Sequence, residues 1–318
     1  MIKAFRQIRL AELLRGLNSL LPVSLMRSQG TGGTNSAAYC YSVWLRHAVT
    51  AWQAGLNPIP QTIAELGPGD SLGIGLTALL FGTEQYYAFD VVKFADVKNN
   101  LSLFEELIAF AKQGLDIPGS EAFPEVKPQL DDYHFPKQIF SDEQLHHCLA
   151  EERLERIRKS VEQSDHSDSV IHYAVPWSSH SVMQEKSIDL IFSQAVLEHV
   201  DDLVGTYRDM HKWLKDDGYI SHQIDFKSHG TAKDWNGHWL YPDFLWKIIR
   251  GKRPYLLNRQ PYSAHKRLLN QAGFTLLREK TVSMASAFRQ EELGPQYQEE
   301  DLHISGAHIL AVKQRQRR

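Results

Sequence analysis

Residues 62–73, Thr-Ile-Ala-Glu-Leu-Gly-Pro-Gly-Asp-Ser-Leu-Gly, constrain this chain more than any other stretch. A short apolar run ends in Glu65, Gly67-Pro68-Gly69-Asp70 turns the chain, and residues 72–80 read as a helix. A strand, a glycine loop and a helix in that order open a doubly wound α/β sheet, whose ligand sits where strand gives way to helix. Glycine belongs in such a loop because it takes backbone angles closed to other residues and lets the main chain approach a ligand.

Two ligand classes use such a loop, and the acids choose between them. A dinucleotide fingerprint would place its third glycine at position 72, but Leu72 stands there and the glycine comes at Gly73. Glu65 and Asp70 would put two carboxylates beside a pyrophosphate, a repulsion of roughly several kcal/mol at interior dielectric. The same acids attract an ammonium. S-adenosyl-L-methionine carries an ammonium and a sulfonium and no phosphate, so the loop favours it over NAD.

Four stretches, in one order, resemble the class I S-adenosylmethionine-dependent methyltransferases. Glu65-Leu66-Gly67-Pro68-Gly69 matches their first motif, and Tyr87-Ala88-Phe89-Asp90-Val91-Val92 looks like their second strand ending in the ribose-binding acid. Residues 187–200, from Ser187-Ile188-Asp189 to Glu198-His199-Val200, are similar to their fourth strand and the segment after it. Leu214-Lys215-Asp216-Asp217-Gly218-Tyr219-Ile220 resembles the turn into their fifth strand. The resemblance implies a Rossmann-like, seven-stranded, mostly parallel sheet over residues 59–318. It implies Glu65, Gly67, Pro68, Gly69, Asp70, Asp90, Val91, Ser193 and Gln194 as cofactor-binding residues. Asp90 also follows the loop by the ~20 residues at which a ribose-binding acid is expected.

Residues 1–58 read as an N-terminal helical cap. In residues 1–21, apolar positions recur at mostly helical spacing, while Lys3, Arg6, Arg9 and Arg15 oppose only Glu12. Such a segment either packs on its own domain or lies on an anionic membrane surface. Residues 28–36 form a polar Gly- and Ser-rich loop, a linker or a lid. Residues 37–54 read as a helix with Tyr39, Val43, Trp44 and Ala48 inward and Arg46 and His47 on a solvated face.

Residues 93–169 are too long for a simple loop and read as a helical insertion, with helices expected over 101–112 and 142–163 and prolines between them. The insertion would cap the active site or make a homodimer contact. His146-His147-Cys148 within it is expected to hold no metal, since adjacent helical side chains diverge. Further strands are expected at 170–174, 188–193, 219–225, 274–279 and 304–312, the last with Ser305-Gly306-Ala307-His308 interrupting its apolar pattern. Trp177 is placed to stack on adenine or to pack at the rim.

Methyl transfer needs an acceptor held in line, and a hydroxyl or amine acceptor must also lose a proton. Strand ends supply the candidates: Asp225 first, with His199 and His222 as alternatives and His229 just beyond. Strand alternation sets His222 and Asp225 on opposite faces. The aromatic, amide-rich segments 234–242 and 253–262 suit a sugar-like acceptor, and the sequence from His222 to this block resembles methyltransferases of bacterial glycan biosynthesis. The expected activity is O-methylation of a sugar or other small molecule. The alternatives are a non-catalytic binding module and, against the acids of the loop, an NAD-dependent oxidoreductase. A net charge of −3 gives no pull toward nucleic acid. Two cysteines and the lack of a membrane-length apolar run lead us to expect a cytoplasmic protein.

Overall fold

Seven short runs rich in aliphatic and aromatic residues form strands, most of them closed by Gly, Pro or Asp. In the computed structural model these are β1 (Thr62–Leu66), β2 (Gln85–Phe89), β3 (Ile171–Ala174), β4 (Ile188–Gln194), β5 (Leu214–Asp225), β6 (Phe274–Ser283) and β7 (Ile304–Lys313). The structure describes residues 2–21, 33–164, 166–177, 182–253 and 255–314. Residues 28–32 of the expected polar loop and 315–318 of the basic tail lie outside them.

The strands make one sheet in the order β3-β2-β1-β4-β5-β7-β6. Its first five strands are parallel, and β7 runs antiparallel to both β5 and β6. Chain connections leave β1 toward β2 on one side and return through β4 on the other. Their carboxyl ends therefore diverge at β1/β4, the crevice where open α/β sheets bind ligands. The sheet is the seven-stranded, doubly wound arrangement the sequence implies. β5 begins earlier than expected, because Leu214 pairs with Ile188 before a register shift carries Asp216-Asp217-Gly218 past the partner strand.

One sheet face is covered by α3 (Ala37–Gln53), α4 (Gly73–Leu80), α5 (Val97–Gln113) and α7 (Glu151–Glu162), with α6 (Asp142–Cys148) before α7. α8 (Leu203–Trp213) and α10 (Tyr262–Gln271) cover the other. A third, small cluster joins α1 (Ile2–Gln7) to α9 (Asp243–Arg250), and α2 (Leu10–Ser19) lies on α9. The expected helix over 142–163 is two helices, parted at Leu149-Ala150.

The expected solvated face of α3 does not exist. Arg46 and His47 are as buried as Trp44 and Leu45. His47 faces the sheet, where its Nδ1 shares a hydrogen bond with Ser221 (2.7 Å), and for Arg46 the reason lies in the insertion. Its proline-rich stretch wraps over α3, and Arg46 donates to the carbonyls of Val126 (2.7 Å), Pro128 (3.1 Å) and Pro118 (3.2 Å) while lying over the Tyr133 ring. Ser305-Gly306-Ala307-His308, which breaks the apolar pattern, lies within β7 as expected. Small residues fit there because β7 is interior to the sheet, and His308 bonds to Ser221 on β5 at 3.0 Å.

Candidate active site

The glycine loop leaves β1 at the crevice. Gly67 and Gly69 take φ of +65° and +74°, the left-handed region that glycine alone enters freely. A Cβ on Gly67 would also lie 2.7 Å from Val196, just past the end of β4. The loop is braced on both sides. Leu72 N–H donates to Asn100 of α5 (2.9 Å), and Ser71 N–H donates to the Thr34 hydroxyl ahead of α3 (3.2 Å). The segment before α3 thus holds the loop directly.

Asp90 ends β2 facing this loop. Its Oδ2 accepts from Gly69 N–H (3.3 Å) and its Oδ1 from Val91 N–H (2.7 Å). Burial pushes its carboxyl up, and the hydrogen bonds from Val91 and Gly69 partly offset this. Each oxygen keeps a further lone pair, so ribose hydroxyls can still donate to it. Trp177 packs against Phe89 and Trp213, both at centroid distances near 5.8 Å or less, and its N–H donates to Asp90 O. It is a rim residue that steadies Asp90.

Glu65 departs from expectation. Its side chain turns away from the open side of the loop into the layer beneath α4, where Tyr86 donates to it at 2.5 Å. Burial raises its pKa to about 8, against the opposing hydrogen bond from Tyr86. The acid of the first motif therefore packs beneath the loop. Gly75 permits this, since a Cβ at that position would meet the Tyr86 ring at 2.1 Å.

At the end of β4, Ser193 is fully buried and shares a hydrogen bond with His222 Nδ1 (2.8 Å). His222 is also fully buried, on the face covered by α8 and α10, and burial pushes its pKa to about 3. The expectation of an acceptor contact at His222 is therefore corrected: it is a core histidine that ties β5 to β4. Gln194 points to the other face, toward the insertion. Its Nε2 reaches Lys127 O (3.4 Å), and its amide also bonds to the His47 side chain. Ala195 follows with φ of +55°, a strained conformation for a residue with a Cβ.

Asp225 ends β5 and lies close to two side chains that follow it. His229 Nε2 lies 3.3 Å and Lys227 Nζ 3.4 Å from its Oδ2. Burial works to raise the Asp225 pKa, but the His229 hydrogen bond and the nearby charges of His229 and Lys227 outweigh it and hold the carboxyl below its ordinary range. His229 has φ of +44°, which folds the turn back so that residues i and i+4 meet. The His199 ring lies 5.2 Å from that of His229. Burial lowers His199 to about 4, and its Nδ1 has no protein partner. The structure thus brings Asp225, His199 and His229 together. Sequence reasoning ranked His229 last, and its signal was an acid four residues before a histidine across a Ser-His-Gly turn.

The aromatic segment is not an open stacking shelf. Trp239 stacks on Tyr297 at 5.0 Å, Tyr241 on Trp246 at 6.4 Å, and all four rings are buried. This block is the wall behind the Asp225 cluster. Among the described residues no three His, Cys, Asp or Glu side chains are grouped to hold a metal.

The crevice fits S-adenosylmethionine. It has a glycine loop with no room for a Cβ at Gly67 and a buried acid, Asp90, at the end of β2. No curated protein matches the chain. Several solved structures resemble it at low identity. A Mesorhizobium loti S-adenosylmethionine-dependent methyltransferase is 13% identical with a TM-score of 0.42, covering 88% of this chain and 99% of its own. One from Methanosarcina mazei is 12% identical with a TM-score of 0.41, covering 80% and 92%. A Haemonchus contortus phosphoethanolamine N-methyltransferase, in complex with S-adenosyl-L-methionine, is 14% identical with a TM-score of 0.42, covering 88% and 58%. The profile of the methyltransferase domain family matches residues 73–279, starting just past the glycine loop. The chain belongs to the methyltransferase domain family and is an S-adenosylmethionine-dependent methyltransferase.

Proposed function

We propose that the enzyme methylates an oxygen of a sugar or other small-molecule acceptor, with His229 taking the hydroxyl proton and Asp225 orienting His229. The observation that carries this reading is the 3.3 Å contact between Asp225 Oδ2 and His229 Nε2 at the carboxyl end of β5.

S-adenosylmethionine supplies an electrophilic methyl on a good leaving group. In this reading Gly67, Pro68, Gly69 and Asp70 cradle it by their backbone and charge, Asp90 and Val91 hold its ribose edge, and Glu65 stiffens the loop from below. An ionised Asp225 accepts the Nε2 proton of His229 and leaves Nδ1 as the basic nitrogen, the arrangement by which a carboxylate fixes a histidine tautomer. His199, kept neutral by burial, adds no positive charge against protonation of His229. The buried free thiols of Cys40 and Cys148 suit the reducing cytoplasm, where we place the reaction.

The test is a single-turnover assay over a panel of sugars and other hydroxylated small molecules. Asp225→Asn and His229→Gln should each lower the methyl-transfer rate by about 10²-fold, leaving S-adenosylhomocysteine affinity nearly unchanged. Folded variants of both residues that keep the wild-type rate, or a product methylated on nitrogen, would reject the assignment.

A further inference from the structure

α2 is attached by its polar side. Facing the body are Gly16, Glu12 and Ser19. A Cβ on Gly16 would come within 2.1 Å of the Ile248 carbonyl oxygen, so the two helix backbones touch. Glu12 pairs with Arg253 (2.8 Å) and with Arg15, and the Ser19 hydroxyl accepts from Lys252 N–H (2.9 Å). Facing outward are Leu10, Leu14, Leu17 and Leu21, at spacings of four, three and four, with Leu20 and with Phe5 of α1. They are between 44% and 67% exposed. A helix that only needed to pack on its own domain would turn these leucines inward.

The charge around this stripe tells what it meets. Among the basic residues of 2–21, Lys3 pairs with Glu292 and Arg15 with the buried Glu12, so the positive excess rests on Arg6 and Arg9. Arg6 and Arg9 are exposed, and α9 adjoins them with exposed Phe244 and Lys247. This is a local excess of positive charge on a chain whose net charge is −3. Basic groups flanking an apolar helical stripe complement an anionic phospholipid surface, where apolar side chains enter the headgroup–acyl boundary and cations meet lipid phosphates. We propose that the outer face of α1 and α2 docks the enzyme on an anionic membrane surface. The contact is also linked to the site. The loop gripped by Glu12 and Ser19 runs on to Asn258, whose Nδ2 donates to the carbonyls of Leu197 (2.7 Å) and Val200 (2.8 Å) beside His199. The proposal stands whatever the acceptor is.

Co-sedimentation of the full chain with vesicles tests it. The enzyme should pellet with phosphatidylglycerol–phosphatidylcholine vesicles at low salt and far less with pure phosphatidylcholine. Leu10→Gln/Leu14→Gln/Leu17→Gln should weaken partitioning by roughly 100-fold, and Arg6→Gln/Arg9→Gln by roughly 10-fold or more, both with unchanged melting temperature. Wild-type enzyme left in the supernatant with both vesicle types would overturn the proposal. So would a leucine variant that binds as the wild type does. A concentration-dependent dimer that the leucine variant dissociates, in an enzyme that ignores vesicles, would assign the face to a second copy of the chain instead.

Discussion

Asp90 does two things at once: its oxygens tie Gly69 and Val91, and its remaining lone pairs face the crevice. Removing the carboxylate therefore loosens the loop, besides deleting the ribose contacts proposed for it. Asp90→Ala should weaken S-adenosylhomocysteine binding by about 1.5–3 kcal/mol, the scale of hydrogen bonds to a charged group. Asp90→Asn, which keeps one acceptor oxygen, should lose less. Calorimetric titration checks this, and an unchanged affinity in folded Asp90→Ala would remove the residue from the cofactor site. The position of Asp90 was legible in the sequence because a strand end and a loop spacing are local properties. The direction of Glu65 was not. It depends on Gly75 making space for Tyr86, a meeting of two elements that no run of residues in one of them records. His229 was obscured for a related reason, since its pairing with Asp225 needs the positive φ that brings the turn back.

Among the elements, α3 was legible as a helix but not as a buried one. Its composition, with Arg46 and His47 in the middle, reads as amphipathic until the insertion is laid over it. Arg46 is satisfied there by three carbonyls and a ring, so its burial costs little while every partner is present. Arg46→Met would strand those carbonyls and should destabilise the protein by about 3 kcal/mol or more, since each buried acceptor left unpaired costs roughly 1–3 kcal/mol. Arg46→Lys should fall between, because a lysine is a point charge and cannot fork to several acceptors. Limited proteolysis should then cut the Arg46→Met variant between residues 115 and 135 before the wild type is cut anywhere in that stretch. An Arg46→Met variant with wild-type melting temperature and cleavage pattern would show that the insertion is held by other contacts. The same clamp sets the Lys127 carbonyl, flanked by two of its acceptors, against Gln194, so the insertion closes one side of the crevice. The strands were the most legible elements because burial on both sheet faces leaves a continuous apolar run.

For the molecule as a whole, the order of motifs was enough to imply the sheet, yet nothing local announced how many histidines it would bury. His47 and His308 share Ser221 across the sheet, with contacts of 2.7 and 3.0 Å, while His222 and His265 lie on the opposite face. His238 is buried behind Asp225, and His199 is half-buried at the site. Burial lowers all six: His47 and His199 to about 4, His222, His238 and His265 to about 3, and His308 well below its ordinary value. A group whose folded pKa is depressed favours the fold only while it is neutral. These histidines therefore contribute stability above their unfolded pKa of about 6.5, and the contribution is lost as pH falls from there toward 4 and 3. Glu65, Glu198 and Asp90 work the other way, since burial raises their pKa values and so favours the fold at low pH, and they offset part of what the six histidines take up. Each proton that the unfolded chain holds beyond the folded one removes about 1.4 kcal/mol per pH unit, so a net difference of a few protons removes a large share of the ~5–15 kcal/mol that stabilises a protein. Acid unfolding should thus have its midpoint near pH 5, with several protons taken up per molecule as the chain unfolds. Circular dichroism against pH, with proton uptake measured through the transition, checks both. A fold that persists below pH 4, or that unfolds without taking up protons, would mean that the six histidines are charged in place and that the sheet accommodates them.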